Sequence, residues 1–285
     1  MALKYAGNVK TRIANPVLTH RRKPEGIFML VIKQSQIAQF SELARLRFAA
    51  TLVDHLAAFS PPLFEAVGAE QMRRVVDFGM ARAAAHGFSR QGPVRLYLES
   101  MLLFGSHFET DPQYPWAAEI LAAETVPEML RAEQLYAAVM DYRREVVGPA
   151  DVHAINALRA LAALARGPLP VTLPTLAEDI IRQIRLLHPR KAAFTGDEAL
   201  GALVAKATSG ARQVDFADAR GAVLVTLLML SFGHGCGADL LYPWIAATLR
   251  DPLIANPQAR ARRLERKALT WLDHVIAHFD KQVPA

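Results

Sequence analysis

MLLFGSHFETDPQYPWAAEIL (101–121) and MLSFGHGCGADLLYPWIAATL (229–249) lie 128 positions apart and share ten of 21 residues without a gap. Chance agreement at ordinary composition would be roughly one or two. The same offset joins Leu96 to Leu224, Phe88 to Phe216, Val76 to Val204, Glu70 to Glu198, Gly68 to Gly196 and Pro61 to Pro189. A constant offset over so long a stretch reads as a duplication. A unit of about 100 residues is too long for a solenoid module, and two copies fall short of the three a solenoid needs. Each copy reads as a helical half-domain.

Outward from the motif, the periodicity is helical. Ile37, Phe40, Ala44, Phe48, Leu52, Leu56 and Phe59 recur at three- and four-residue steps, which marks one buried helix face. Leu176, Ile180, Ile184 and Leu187 do the same in the second copy. Thr175 and Glu178 have the spacing of a capping box at that helix start. The next pair of helices spans 69–86 and 197–212, and a third spans 91–104 and 219–232. Gly105 and Gly233 follow the third pair, where a left-handed C-terminal cap is expected. Long helices are expected over 127–146 and 257–280, the latter opened by Asn256-Pro257. No segment alternates with a period of two, so the fold class is all-α: a tandem duplication of a helical unit packed as one pseudo-two-fold body. The expected division is a leader (1–28), a first repeat (29–147), a bridging helix with the Pro-rich linker GPLPVTLP (148–174), and a second repeat (175–285). The apolar helix 219–232 is expected near the centre of the body. Helix 91–104, with Arg95, Tyr97, Glu99 and Ser100 at the matching positions, is expected nearer the surface.

Within the motif the residues divide by role. Phe104-Gly105 and Phe232-Gly233 end one helix, and Pro115 and Pro243 open the next, because proline loses no amide partner at the first helical position. Asp111 and Asp239 are expected to accept backbone amides in the intervening turn. Tyr114-Pro115-Trp116 and Tyr242-Pro243-Trp244 form the corner, each indole buried to lock it. The competing view makes Asp, Tyr and Trp a ligand clamp used twice.

Composition narrows the class. The net charge is +6, but residues 1–28 hold Lys4, Lys10, Arg12, Arg21, Arg22 and Lys23 against Glu25, or +5, leaving +1 for the rest. A nucleic-acid binder needs a basic stripe on its folded body, so no nucleic-acid partner is expected. The cluster Arg260, Arg262, Arg263, Arg266 and Lys267 reads as a solvated helix face. The leader lacks the apolar run of a secretory signal, and Met29 reads as a natural beginning. The run 221–233 is 13 residues, against the ~20 that span a bilayer, so no membrane partner is expected. Cys236 is the sole cysteine, which suits a reducing, cytoplasmic setting.

Phe104-Gly105, Asp111-Pro112, Pro115-Trp116-Ala117 and the upstream Met29-Leu-Val-Ile, Phe48 and His55-Leu56 resemble an uncharacterised bacterial family. Its members open on a similar M-L-x-I run and carry F-G-x-x-F-x-x-D-P-x-x-P-W-A. The resemblance covers about residues 29–145 and departs in the second copy, where Leu240 and Cys236 replace the proline and phenylalanine. It implies a setting beside type VI secretion genes with PAAR- or spike-linked effectors, and a partner that is another bacterial protein, an effector or spike component. It brings no catalytic residues.

No phosphate loop, dinucleotide fingerprint, H-E-x-x-H or paired C-x-x-C occurs. His234-Gly-Cys236 supplies two ligands, too few for zinc alone, and the matching positions hold Ser106 and Phe108. His55 and His86 read as packed or surface histidines. Glu178 and Asp179 are neighbours that cannot face each other on a helix. Glu109 and Asp111 have no matching pair, since Gly237 replaces Glu109. No catalytic, cofactor or metal residue is therefore assigned. Two readings follow. One is a non-enzymatic adaptor, chaperone or immunity-type partner of a secreted effector. The other is an enzyme with its site between the repeats.

Overall fold

The computed structural model describes residues 33–282, and all regular structure among them is helical. The chain divides after Leu43. The described part of the first unit is the opening of α1 (Gln34–Phe59). From Ala44 onward one compact unit holds the rest. It continues with α2 (Pro61–Val67), α3 (Ala69–Ala85), α4 (Gln91–Phe104), α5 (Pro115–Ala122), α6 (Glu128–Tyr142) and α7 (Val152–Arg166). Then come α8 (Leu176–Leu187), α9 (Pro189–Thr195), α10 (Asp197–Gln213), α11 (Ala219–Phe232), α12 (Pro243–Leu249) and α13 (Pro257–Gln282). The expected leader, 1–28, lies outside the described residues.

Every bound of α2, α3 and α4 recurs 128 positions later in α9, α10 and α11: 61–67 and 189–195, 69–85 and 197–213, 91–104 and 219–232. Helices α1 and α8 end 128 apart, at Phe59 and Leu187, and α5 and α12 begin 128 apart, at Pro115 and Pro243. One added residue before α13 makes the offset of α6 and α13 129, from 128 to 257. Backbone angles follow suit. Gly68 and Gly196 both have φ of 83°, while Gly87 at 71° is matched by Asp215 at 63°.

The main core runs through both halves, from Leu52, Met72 and Tyr97 to Phe232, Ile245 and Leu264. A second cluster joins Ile180, Ile184, Leu200, Leu203 and Val204 under Val223 and Leu230. Leu169 and Val171 of the Pro-rich segment lie against it, so that segment is fastened to the body rather than free.

Four local expectations change. Gly105 (φ 95°, ψ 154°) and Gly233 (φ 86°, ψ 155°) are not left-handed helical caps; their extended ψ places them in a region open essentially to glycine alone. Thr175 forms no capping box, because its hydroxyl donates to Asp179 at 2.7 Å and the same carboxylate accepts from Thr172 N–H at 3.0 Å. Helix α6 passes at Arg143 into a π-turn that ends at Val147. Finally, α4 is as central as α11. Tyr97 and Ser100 are fully buried, Ser100 Oγ returning its hydrogen to Leu96 O at 2.8 Å, so only its Arg95–Glu99 edge is polar.

Candidate functional site

The two motifs meet at the centre of the compact unit. Gly105 lies against the Phe232 carbonyl and Gly233 against the Phe104 carbonyl. A Cβ on either would fall 2.5 Å or 2.7 Å from the facing oxygen. The aspartates then cross over. Asp111 Oδ2 accepts from His234 N–H at 2.6 Å, and Asp239 Oδ2 accepts from Ser106 N–H at 2.8 Å. Positions 106 and 234, like 111 and 239, are 128 apart, so each carboxylate performs the same task on the opposite motif. Each also holds its own turn: Asp111 Oδ1 accepts from Gln113 N–H at 2.9 Å, and Asp239 Oδ1 from Leu241 N–H at 2.8 Å. Both aspartates are buried, and hydrogen bonds to fixed amides offset the cost of desolvating them.

Behind each crossing stands an aromatic corner. Phe104 meets Tyr114 at 4.7 Å, Trp116 at 5.6 Å and Tyr142 at 5.0 Å between ring centroids. Phe232 meets Tyr242 at 4.5 Å, Trp244 at 5.8 Å and Trp271 at 4.6 Å. The indoles of Trp116 and Trp244 are half-buried, flanking the corner rather than filling it. Pro115 and Pro243 open their helices on the exposed side.

The corners differ in what surrounds them. At the first, Gln113 Nε2 donates to Asp111 Oδ2 at 3.2 Å and to Met229 O at 3.0 Å. Lys191, in the first turn of α9, donates through Nζ to Leu230 O at 2.7 Å and lies 3.4 Å from Tyr114 Oη. These groups satisfy carbonyls at the end of α11 that lack helical partners. The equivalents of Gln113 and Lys191 are Leu241 and Leu63. Burial lowers the Lys191 ammonium to about 8, partly restored by Asp111. Burial also raises the Tyr114 and Tyr142 phenols.

Neither Ser106 nor Cys236 is set up for nucleophilic chemistry. Ser106 is buried and gives its hydroxyl hydrogen directly to Asp239 Oδ1 at 2.6 Å, with no imidazole between. Burial, then the charges of Asp239 and Asp111, push the Cys236 thiol up to about 12, far from a reactive thiolate. His107 packs edge-on against Phe78, and burial lowers the pKa of its ring. His55 shares a hydrogen with Glu99 at 2.6 Å, and the His86 carbonyl takes Arg131 Nη1 at 2.8 Å. Glu109 is buried in an ion pair with Arg82. Among the described residues no three His, Cys, Asp or Glu side chains come together as a metal site.

The chain matches no family model, no curated protein and no solved structure.

Two hollows lie in the second half, not between the motifs. An apolar one of about 60 Å³, open on one side, is lined by α7, α11 and α13 through Leu161, Ala165, Leu227, Leu228 and Leu269. A polar cleft of about 340 Å³ adjoins it, lined by Asp218, Arg220, Gln258, Arg262 and Glu265. Three of its charges are committed: Asp218 caps α11 through Gly221 N–H at 2.6 Å, and Arg220 binds both oxygens of Glu265. No helix of the described residues is long and apolar enough to cross a membrane.

Sequence reasoning found the aspartates and the corner aromatics but missed Ser106, His234, Gln113 and Lys191. Ser106 and His234 meet the facing aspartates through amides that any residue supplies, and the second bond, from the Ser106 hydroxyl to Asp239 at 2.6 Å, spans 133 positions, beyond any local pattern. Lys191 sits in PRKAAF, where a lysine at a helix start reads as exposed.

Proposed function

We propose that the chain is a tandem duplication packed about a local pseudo-two-fold axis, and that it serves as a non-enzymatic, cytoplasmic protein-binding accessory of a bacterial secreted-effector system. One observation carries the binding reading. The polar groups at the meeting of the motifs are spent on fastening the two halves, while large apolar side chains lie exposed along helices. Met129, Tyr136 and Met140 on one side of α6 are 42%, 57% and 42% exposed, and such a stripe on a folded body suits protein partners. The resemblance over 29–145 supplies the secretion setting and the partner class, an effector or spike component. The enzymatic alternative required a cleft between the repeats, where the Gly105 and Gly233 backbones instead touch.

The test is co-purification of the tagged full chain with the effector and spike proteins encoded beside its gene. Stoichiometric retention of one of them is expected. Retention of none, together with turnover of a small molecule abolished by Arg262→Ala in the polar cleft, would reverse the reading.

A further inference from the structure

The two hollows of the second half share a wall. Arg220, Leu224 and Glu265 line both the apolar hollow and the polar cleft, so the two adjoin. Three helices meet in that wall. Arg220, on α11, donates through Nη2 to Ala165 O at the end of α7 at 3.2 Å and to Glu265 Oε1 on α13 at 2.5 Å. Arg159 and Arg166 of α7 pair with Asp280 and Asp273 of α13, each at 2.5 Å, and keep α7 along α13. The helices that form the hollow are therefore tied to one another.

Size and charge define what fits. An apolar cavity of about 150 Å³ holds a benzene. On that scale the hollow of about 60 Å³ takes about two or three carbons, not a long acyl chain. On the polar side, Asp218 is spent on the Gly221 amide and Glu265 on Arg220. Arg262 and Gln258 also line the cleft and have no partner among the described residues. The uncommitted charge of the cleft is thus a guanidinium with a side-chain amide four positions before it on α13. A guanidinium grips a carboxylate through two parallel N–H bonds. Asp218 and Glu265 stand by to repel a second negative charge, which disfavours a phosphate dianion. The first half lacks this combination. Gly92 and Glu99 stand where α11 has Arg220 and Leu227, offset 128, and Glu133 and Tyr136 stand where α13 has Arg262 and Glu265, offset 129.

We infer that the second half binds a small aliphatic carboxylate, the end of its chain in the hollow among Leu161, Leu227 and Leu269 and its carboxylate on Arg262 and Gln258 in the cleft. Apolar end and anionic head then meet matching surfaces on either side of Leu224. The site lies apart from the exposed stripe of α6, and its test involves no protein partner. Its failure and that of the adaptor reading are therefore distinguishable.

Calorimetric titration of the purified full chain with hexanoate, acetate and hexylamine tests it. Hexanoate should bind with a Kd of about 1 millimolar or tighter. Acetate, which leaves the hollow empty, should bind at least about tenfold more weakly, since each buried methylene is worth about fourfold. Hexylamine, with the same chain and the opposite charge, should also bind at least about tenfold more weakly. Arg262→Glu, at an exposed position, should keep the helical circular dichroism and lose hexanoate affinity about tenfold or more. Leu227→Trp, which fills the hollow, should bring hexanoate down to the level of acetate. No binding of hexanoate to the wild type at about 10 millimolar would overturn the proposal. So would equal binding of hexylamine, which would mean a chain that seeks any apolar surface. Hexanoate binding untouched by Arg262→Glu would place the anion elsewhere and overturn it as well.

Discussion

The two corners share a geometry but not a chemistry. Around Phe104 the buried shell is polar, with Gln113, Lys191, Tyr114 and Tyr142. Phe232 instead meets Tyr242 and Trp271, and the positions equivalent to Gln113 and Lys191 hold Leu241 and Leu63. What stays constant is the backbone contact and the pair of crossing aspartates. The lesson is that what the two motifs share is what holds two backbones together. The shell around it differs between the two corners, and the donors of the polar one, Gln113 Nε2 and Lys191 Nζ, find carbonyl partners at the end of α11.

The strongest way to break the equivalence is to separate the backbones. Gly105→Ala would put a methyl 2.5 Å from Phe232 O, and Gly233→Ala one 2.7 Å from Phe104 O, each at a positive φ. Steric overlap and backbone strain together should cost about 3–5 kcal/mol in either variant. Gly68→Ala and Gly196→Ala meet open space at φ of 83°, so they should cost only the strain, about 1–3 kcal/mol. Urea denaturation of the four variants checks this. Near-equal losses at 105 and 68 would show that the halves do not press on one another.

Next comes the crossing itself. Asp239→Ala strands Ser106 N–H, Ser106 Oγ and Leu241 N–H, and Asp111→Ala strands His234 N–H, Gln113 N–H and Gln113 Nε2. Each should lose about 3 kcal/mol, since buried donors keep their desolvation cost without a bond. The double variant should lose clearly less than the sum, because the first loss already loosens the contact that the second needs. Strict additivity in a double-mutant cycle would mean two independent turns that merely lie close.

Much of this was legible in the sequence, and the boundary is physical. Helix periodicity and the proline and glycine positions report on local burial and backbone freedom, which is why the all-helical class emerged without coordinates. The partner of a carboxylate is different. Asp111 reads as a turn residue because it caps Gln113 two positions on, but its second oxygen reaches an amide 123 positions away. No local pattern encodes that reach. Thr175 misled for the same reason: the capping spacing is present, yet Asp179 at the next position competes for the hydroxyl and wins. Tyr97 and Ser100 looked like surface residues because polarity was taken for exposure, whereas a serine that bonds its own helix carbonyl buries at little cost.

The smallest effect sharpens the comparison most finely, at Lys191, where the first half has Leu63. Burial lowers the folded-state pKa of Lys191 from 10.5 to about 8. The unfolded chain therefore binds more protons than the native one between those values, and stability rises with pH across that window. Below pH 8 the full penalty is present, on the order of 3 kcal/mol for a drop from 10.5 to about 8. Lys191→Met removes that penalty but leaves Leu230 O without its donor, which costs about 1–3 kcal/mol. At pH 7 the two nearly cancel, so the variant should match the wild type within about 1 kcal/mol. From pH 8 to 10.5 the wild type should gain on the variant by about 2–3 kcal/mol as its lysine is relieved of charge. Paired denaturation curves at pH 7 and pH 10 decide it. A difference that stays flat with pH would mean that water reaches Nζ and that the polar shell of the first corner is open to solvent.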